Sequence, residues 1–451
     1  MSTFVMSPLR VLLLVAGATF QLCLVSPVSA GIQSIEPAQT HSQTLTLNQA
    51  QRAAIARSKL LGGQDLAVQA SREMALAASQ RPDPVLKFGV DNLPVSGPDR
   101  FSVRNDFMTM RRVGVMQELT RADKRASRSD RYTRMADKAA ADKIVAIANL
   151  QRDTALAWLD RYYAEQALMI LTELTSQARQ EISAAAAAYR GGKGGQAELF
   201  AAQSTLTNIE DRSSEARRRL ANAKVMLARW SGLPSDASLA GAPVMDAIRL
   251  NPATLDTELD HHPEITALRM QEAVAIADVK VAEAEKKSDW SVELAYQQRG
   301  PAYSNMVSIG FSVPIQWNQK NRQNHEVAAK LALAEQAKAE REDMLRTHIA
   351  DTRILINEWE NGRERIGRYT AELRPQAHHR TEATIAAYRG GKATLTDVLT
   401  ARRAETDLLL QIVQLQADTA QRWARLNYLQ PDPGILIGSE MEVMHSNGAS
   451  K

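Results

Sequence analysis

The 451-residue chain has one cysteine, only 5% aromatic residues and, beyond its first thirty positions, no apolar run near the length of a membrane-spanning helix. One cysteine excludes an intrachain disulfide and any metal site built on paired thiolates. Few aromatics beside abundant alanine and long polar side chains favour extended helices packed at close range over a thick globular core. Catalytic signatures are missing too: there is no Gly-x-Ser-x-Gly, no P-loop, no His-Glu-x-x-His and no GxGxxG opening a helix after a strand, so neither an enzyme nor a bound cofactor is expected. A strong charge bias is also lacking. The formal net charge is +4, and basic clusters such as Arg217-Arg218-Arg219 sit among acids. They read as solvated helix faces, and no nucleic-acid partner is expected.

Residues 1–30 read as a cleavable export signal, with Arg10 as the positive charge, an apolar core over 11–25 and the small residues Val28-Ser29-Ala30 as the cleavage site. A membrane anchor fits less well, because Gln21 interrupts a run shorter than the roughly 20 residues a span needs. Cys23 raises the question of lipidation, but Phe20-Gln21-Leu22 lacks the small residues such processing wants. Cleavage after Ala30 leaves a mature chain without cysteine.

What the chain does have is a long-period repeat. Ala-Ala-Tyr-Arg-Gly-Gly-Lys occurs at 187–193 and again at 386–392, 199 positions later. The copies are followed by Glu198-Leu199-Phe200 and Asp397-Val398-Leu399. A match at this spacing predicts two duplicated structural halves: a first repeat over 31–250, a second over 251–430 and a C-terminal tail over 431–451.

Each half carries a pair of alternating segments. Trp290, Val292, Leu294 and Tyr296 alternate with Ser291, Glu293, Ala295 and Gln297; Val307, Ile309, Phe311, Val313 and Ile315 alternate with Ser308, Gly310, Ser312 and Pro314. Period two predicts strands with one apolar face, a pair over about 290–316 joined by a turn at 300–305. A fainter copy over about 85–119 has Leu86, Phe88 and Val90, then Val113 and Val115, separated by a Pro/Gly/Asp-rich loop at 92–104. A soluble sandwich is the plain alternative. Trp290 and Trp317, at the strand ends nearest the helices, favour an interfacial aromatic girdle.

The remainder predicts helix. Leu345, Ile349, Thr352, Ile356 and Trp359 keep 4-3-4-3 spacing, and Leu156, Leu159, Tyr163, Ile170 and Leu174 do much the same, as coiled-coil seams do. Helical hairpins are expected over 120–230 (arms 120–189 and 196–230) and 318–429 (arms 318–388 and 396–429). A 70-residue arm spans roughly 105 Å. Each returning arm covers half of that, so the segment at 263–287 is expected to complete the first half and that at 45–80 the second, with 232–252 as a break between stacked helices. Four strands cannot close a barrel, and open sheet edges are not tolerated in lipid. If the strands enter a membrane, several chains must pool them.

With these features the sequence resembles the outer-membrane efflux proteins, the TolC-like channels, over nearly the whole mature chain. The carriers are Tyr189-Arg190-Gly191-Gly192-Lys193 with Glu198-Leu199, Tyr388-Arg389-Gly390-Gly391-Lys392 with Asp397-Val398-Leu399, His262-Pro263-Glu264-Ile265 opening a helix and Ser312-Val313-Pro314-Ile315 ending a strand. The resemblance implies an α+β membrane protein: a homotrimer whose four strands per chain build a twelve-stranded outer-membrane barrel above a periplasmic tunnel of long helices. It implies a passive duct in a Gram-negative outer membrane, reaching into the periplasm. Its partners would be outer-membrane lipid, a periplasmic adaptor (membrane fusion protein) and an inner-membrane RND-type transporter that supplies the energy. The blocks at 88–95, 108–118 and 314–322 are similar to the heavy-metal cation-efflux branch. Drug or organic-solvent efflux and type I protein secretion are the alternatives within the channel class. A periplasmic coiled-coil scaffold or adaptor is the alternative outside it, and it leaves the strand pairs unexplained.

The candidate site residues follow from the repeat. Gly191-Gly192 and Gly390-Gly391 provide turn conformations, while Tyr189, Arg190, Lys193, Tyr388, Arg389 and Lys392 would display an aromatic and two cations at each tip for an adaptor. Glu198 and Asp397 open the returning helices, where the dipole favours an acid by roughly 0.3–1 kcal/mol. In a trimer they would instead form acidic rings at the pore constriction. At the family's tip-locking arginine position this chain has Ala393, and at a second acidic position Thr400, which leaves Lys392 to serve as a latch. No metal site is expected: His261-His262 and His378-His379 are adjacent pairs whose side chains diverge by about 100° on a helix, so neither chelates one ion unaided. Met108 and Met110, alternating on a strand, read as packing residues before they read as soft ligands.

Overall fold

The computed structural model describes residues 44–192 and 194–436. The expected export signal with Cys23, the tip residue Lys193 and most of the tail at 431–451 lie outside the described residues.

Helix α1 (Leu47–Arg57) begins in a reciprocal cap: the Thr46 hydroxyl accepts from the Gln49 N–H while the Gln49 side chain accepts from the Thr46 N–H. Ser58, in an extended conformation, ends it and caps α2 (Lys59–Ser79). Strands β1 (Val85–Asp91) and β2 (Met110–Leu119) follow, then the unbroken 69-residue α3 (Ala122–Arg190), about 100 Å long. It contains neither glycine nor proline, so no position lacks a helix donor or favours another backbone state. Helix α4 (Gln196–Ser231) returns and stops at Gly232, which takes the left-handed conformation at φ 70°. After a connector come α5 (Leu255–Asp260), α6 (Pro263–Glu285), β3 (Trp290–Gln298), β4 (Met306–Ser312) and α7 (Gln323–Arg368).

The second long arm differs from expectation. It starts at Gln323, after a turn, and a five-residue π segment (Tyr369–Leu373) separates α7 from α8 (Arg374–Arg389). Pro375 explains the interruption: its ring cannot sit against the carbonyl four residues back, and the wider turn makes room for it. Helix α9 (Leu395–Asn427) closes the second hairpin.

The four strands form one antiparallel sheet in the order β1-β2-β3-β4. Its register lines up apolar residues in rows across all four strands: Leu86, Val115, Leu294 and Ile309 in one, Phe88, Val113, Tyr296 and Val307 in the next. These side chains are exposed in the single chain. The opposite face is polar and charged. There Glu293 pairs with Lys87 at 2.8 Å and with Arg112, which also approaches Asp91 at 3.7 Å. Gly114 lies so close to the neighbouring strand that an added Cβ would stand 2.8 Å from Cβ of Ala295.

Helices continue the strands in the same lateral order: α2 packs on α3, α3 on α6, and α6 on α7. This corrects the expectation that 45–80 runs beside the second long helix. The residue count was right, but α2 lies at one edge of the row and α7 at the other. The junction with the sheet is fixed by Asp289, which accepts from the Arg121 N–H at 2.9 Å and pairs with the buried Lys124 at 2.5 Å.

The main apolar core sits at mid-length, where α1, α3, α4, α7, α9 and the connectors converge on Trp158, Leu159, Leu227, Trp359 and Leu426. The connector at 232–254 is part of it. Leu45 pairs with Leu239 as a short bridge, the Trp158 indole donates to the Leu45 carbonyl at 3.2 Å, and the Trp423 indole donates to the Ala247 carbonyl at 2.9 Å.

Candidate functional site

Residues 187–192 and 386–391 of the repeat form two helical-hairpin turns of nearly the same backbone. Gly191 and Gly390 end the outgoing helices at φ −84° with ψ 2° and 4°, and Gly192 and Gly391 follow at φ 68° and 72°. That left-handed conformation is the reason for glycine here. The N–H of Gly191 donates to the Ala187 carbonyl and that of Gly390 to Ala386, each at 3.0 Å. Arg190, Arg389 and Lys392 are exposed, and Lys392 has no carboxylate partner among the described residues.

The two candidate acids differ. Asp397 is exposed, and one oxygen accepts from the Thr394 N–H at 2.9 Å and from its hydroxyl at 2.7 Å, while the Asp397 N–H donates to that hydroxyl at 3.2 Å. The Thr394 backbone N–H, and then its hydroxyl, hold the Asp397 carboxyl below its ordinary pKa. Glu198 is half-buried on a helix whose cap residue, Gly195, has no side chain to offer. Beneath the turns the two tips share one small apolar cluster, in which Ala185, Ala202, Leu395 and Leu399 are buried and Ile182, Leu199 and Tyr388 lie against them.

Sequence reasoning missed the ties further along the hairpins. Arg402 on α9 reaches Glu181 on α3 at 2.5 Å and Gln177 at 2.8 Å. Arg212 on α4 reaches Asp407 on α9 at 2.5 Å. Burial pushes the Glu181 carboxyl upward, and Arg402 opposes that. No local spacing announces these pairs, because their members lie on different hairpins.

Of the histidines, His378 contacts Glu405 at 3.0 Å, and its ring is 6.2 Å from that of His379. His262 caps α6 and is buried, whereas His261 ends α5. Met108 falls outside β2, so the expected alternation with Met110 on one strand does not hold. The loop before it turns on Asp106, whose carboxylate accepts from the N–H groups of Met108 and Thr109.

An internally duplicated α+β chain, with a four-stranded open sheet apolar on one face and two long helical hairpins, has the architecture of the trimeric efflux channels. Residues 254–429, about two fifths of the chain, match the family model of the outer membrane efflux protein. The fold extends the likeness to the first half. The outer-membrane channel OprN superposes with a TM-score of 0.72 at 16% identity, covering 86% of this chain and 90% of that one. The Campylobacter jejuni CmeC outer membrane channel gives 0.72 at 13% identity, with 89% of each chain covered. CusC gives 0.68 at 14% identity, covering 86% and 92%. A search of curated proteins gives no match.

Proposed function

We propose that this protein is the outer-membrane exit channel of a tripartite efflux system, working as a homotrimer with a periplasmic adaptor and an inner-membrane RND-type transporter. The observation that carries the reading is the sheet. Its apolar rows face outward with nothing among the described residues to cover them, and β1 and β4 are unpaired on their outer edges among those residues. Such a surface suits lipid, and edges of this kind are tolerated there only when closed. Three chains joined β4 to β1 give twelve strands, and the same operation sets α7 beside α2 of the next chain. The charged face, with Glu293, Lys87 and Arg112, then lines the lumen.

Heavy-metal cations are the proposed cargo, on the similarity of the blocks at 88–95, 108–118 and 314–322 to that branch. The fold favours no substrate, since chains of several export systems share it. The tips, with Tyr189, Arg190, Gly191, Gly192, Lys193, Tyr388, Arg389, Gly390, Gly391 and Lys392, are proposed to meet the adaptor, and Glu198 and Asp397 to form the constriction. Residues 1–30 are proposed as the export signal.

The test is planar-bilayer conductance of the purified mature protein, with cysteines placed at Phe88 and Ile309 for crosslinking between chains. Small cation-selective openings and a crosslinked trimer support the reading. A chain that remains monomeric and soluble without detergent sinks it in favour of a periplasmic scaffold. For the cargo, deletion of the gene should sensitise cells to transition-metal salts. Sensitivity to organic solvents or drugs instead would reassign the substrate and leave the channel intact.

A further inference from the structure

Three side chains meet where the start of α6 lies against α7. His262, Glu264 and His348 each bring one ligand atom within 4.8 Å of the other two. His348 Nε2 is 3.0 Å from the Glu264 carboxylate, and the two imidazole rings are tilted with centroids 4.8 Å apart. His262 is only 6% exposed, and no well-formed hydrogen bond reaches its Nε2, although the Leu429 backbone lies near enough to interact with the ring. Its Nδ1 accepts from the Glu264 N–H in a long 3.3 Å contact. A buried imidazole nitrogen without a well-formed hydrogen bond is uncommon.

We propose that His262, Glu264 and His348 bind a divalent transition-metal ion of the zinc class. Two imidazoles with one carboxylate suit that class, whereas calcium and magnesium prefer oxygen-only ligands. Ligand atoms around a tetrahedral zinc stand about 3.3 Å apart, given bond lengths near 2.0–2.1 Å, so the cluster must contract. The half-exposed Glu264 and the partly exposed His348 can move, and the buried His262 is the fixed point. Coordination through either nitrogen of His262 gives up the capping contact, since Nδ1 then either binds the ion or carries the proton. The ligand set has one negative charge, and Arg152 nearby opposes a second positive one. Three protein ligands leave a fourth position open, as in His₂Glu sites. A bound ion would cross-link α6 to α7 in the wall of the molecule, whatever the channel carries.

The test uses the full mature chain in detergent, stripped by chelator and titrated with Zn²⁺ alone by calorimetry, with retained metal counted after desalting and Mg²⁺ as the control ion. Wild type should retain one Zn²⁺ per chain, and His348→Gln and Glu264→Gln should each weaken binding at least tenfold. His379→Gln should match wild type. Circular dichroism checks the fold of each variant, and if one fails to fold the other carries the comparison. Equal stoichiometry and affinity in wild type and a folded variant, or no Zn²⁺ retained by wild type, overturns the site. Conductance is a separate readout, so loss of this site and loss of the channel reading are distinguishable.

Discussion

The tip at residues 189–195 and the tip at 388–394 share Tyr-Arg-Gly-Gly-Lys and the same glycine conformations, yet they differ in how the returning helix begins. In the second, Thr394 and Asp397 cap α9 reciprocally, and Leu395 and Leu399 are buried below the turn. In the first, the corresponding residues are Gly195, Glu198, Gln196 and Phe200. The cap is missing and Phe200 is 58% exposed, against 7% for Leu399. Tyr189 is likewise more exposed than Tyr388. Duplication kept the turn, which glycine alone dictates, and let the chemistry on either side diverge. The capped, apolar-anchored tip is built to hold its own shape. The uncapped tip, with two exposed aromatics, has the features of one that is completed by another surface.

The largest separation should come from the apolar pair. Leu399→Ala removes a buried side chain and should cost about 2 kcal/mol or more in the second hairpin, read as faster amide hydrogen exchange across 381–405. Phe200→Ala should leave exchange in the first hairpin unchanged and weaken adaptor binding instead. If the two substitutions destabilise their own hairpins equally, the contrast is wrong. Next is Thr394→Ala, which strips the cap from α9 and should cost roughly 1 kcal/mol. A smaller gain, a few tenths of a kcal/mol, is expected from Gly195→Thr. It sets a hydroxyl three residues before Glu198 and so copies the second tip's capping box onto the first. Protection of amides 197–199 should rise, and no change would mean that Glu198 is committed elsewhere.

This contrast was only partly legible in the sequence. The turns, the long arms and the strand pairs all rest on local rules: glycine at positive φ, apolar spacing along one segment, alternation along another. The interruption before Pro375 was also written in the chain, but the surrounding helical period is strong enough to hide a proline that a π turn absorbs. Neighbours in space were not legible. Counting residues gave α7 a partner of the right length in 45–80, whereas the lateral order set by the sheet puts α2 and α7 at opposite edges. The Arg402–Glu181 tie and the approach of His348 to His262 belong to the same class, because each joins residues on separate helices whose facing depends on the whole assembly. For the acids, Glu198 and Asp397 look equivalent in sequence, and only the residue three positions earlier, Gly195 or Thr394, separates them.

The smallest expected effect is a pH dependence confined to one tip. The folded pKa of Asp397 lies below the usual carboxylate value because the charged form accepts the Thr394 hydrogen bonds. The unfolded state therefore binds the proton more readily, and stability rises with pH across that interval. The contribution is fully present above the ordinary aspartate pKa, near 3.9, and is lost as pH falls through the lower folded value. Hydrogen exchange corrected for intrinsic rates should show the α9 N-terminus loosening as pH falls below the ordinary aspartate pKa, about 3.9, with Asp397→Asn abolishing the change. Were both tips to loosen together, the carboxylates would be answering a common environment at the mouth of the tunnel, and the acidic-ring reading would gain at the expense of the local cap.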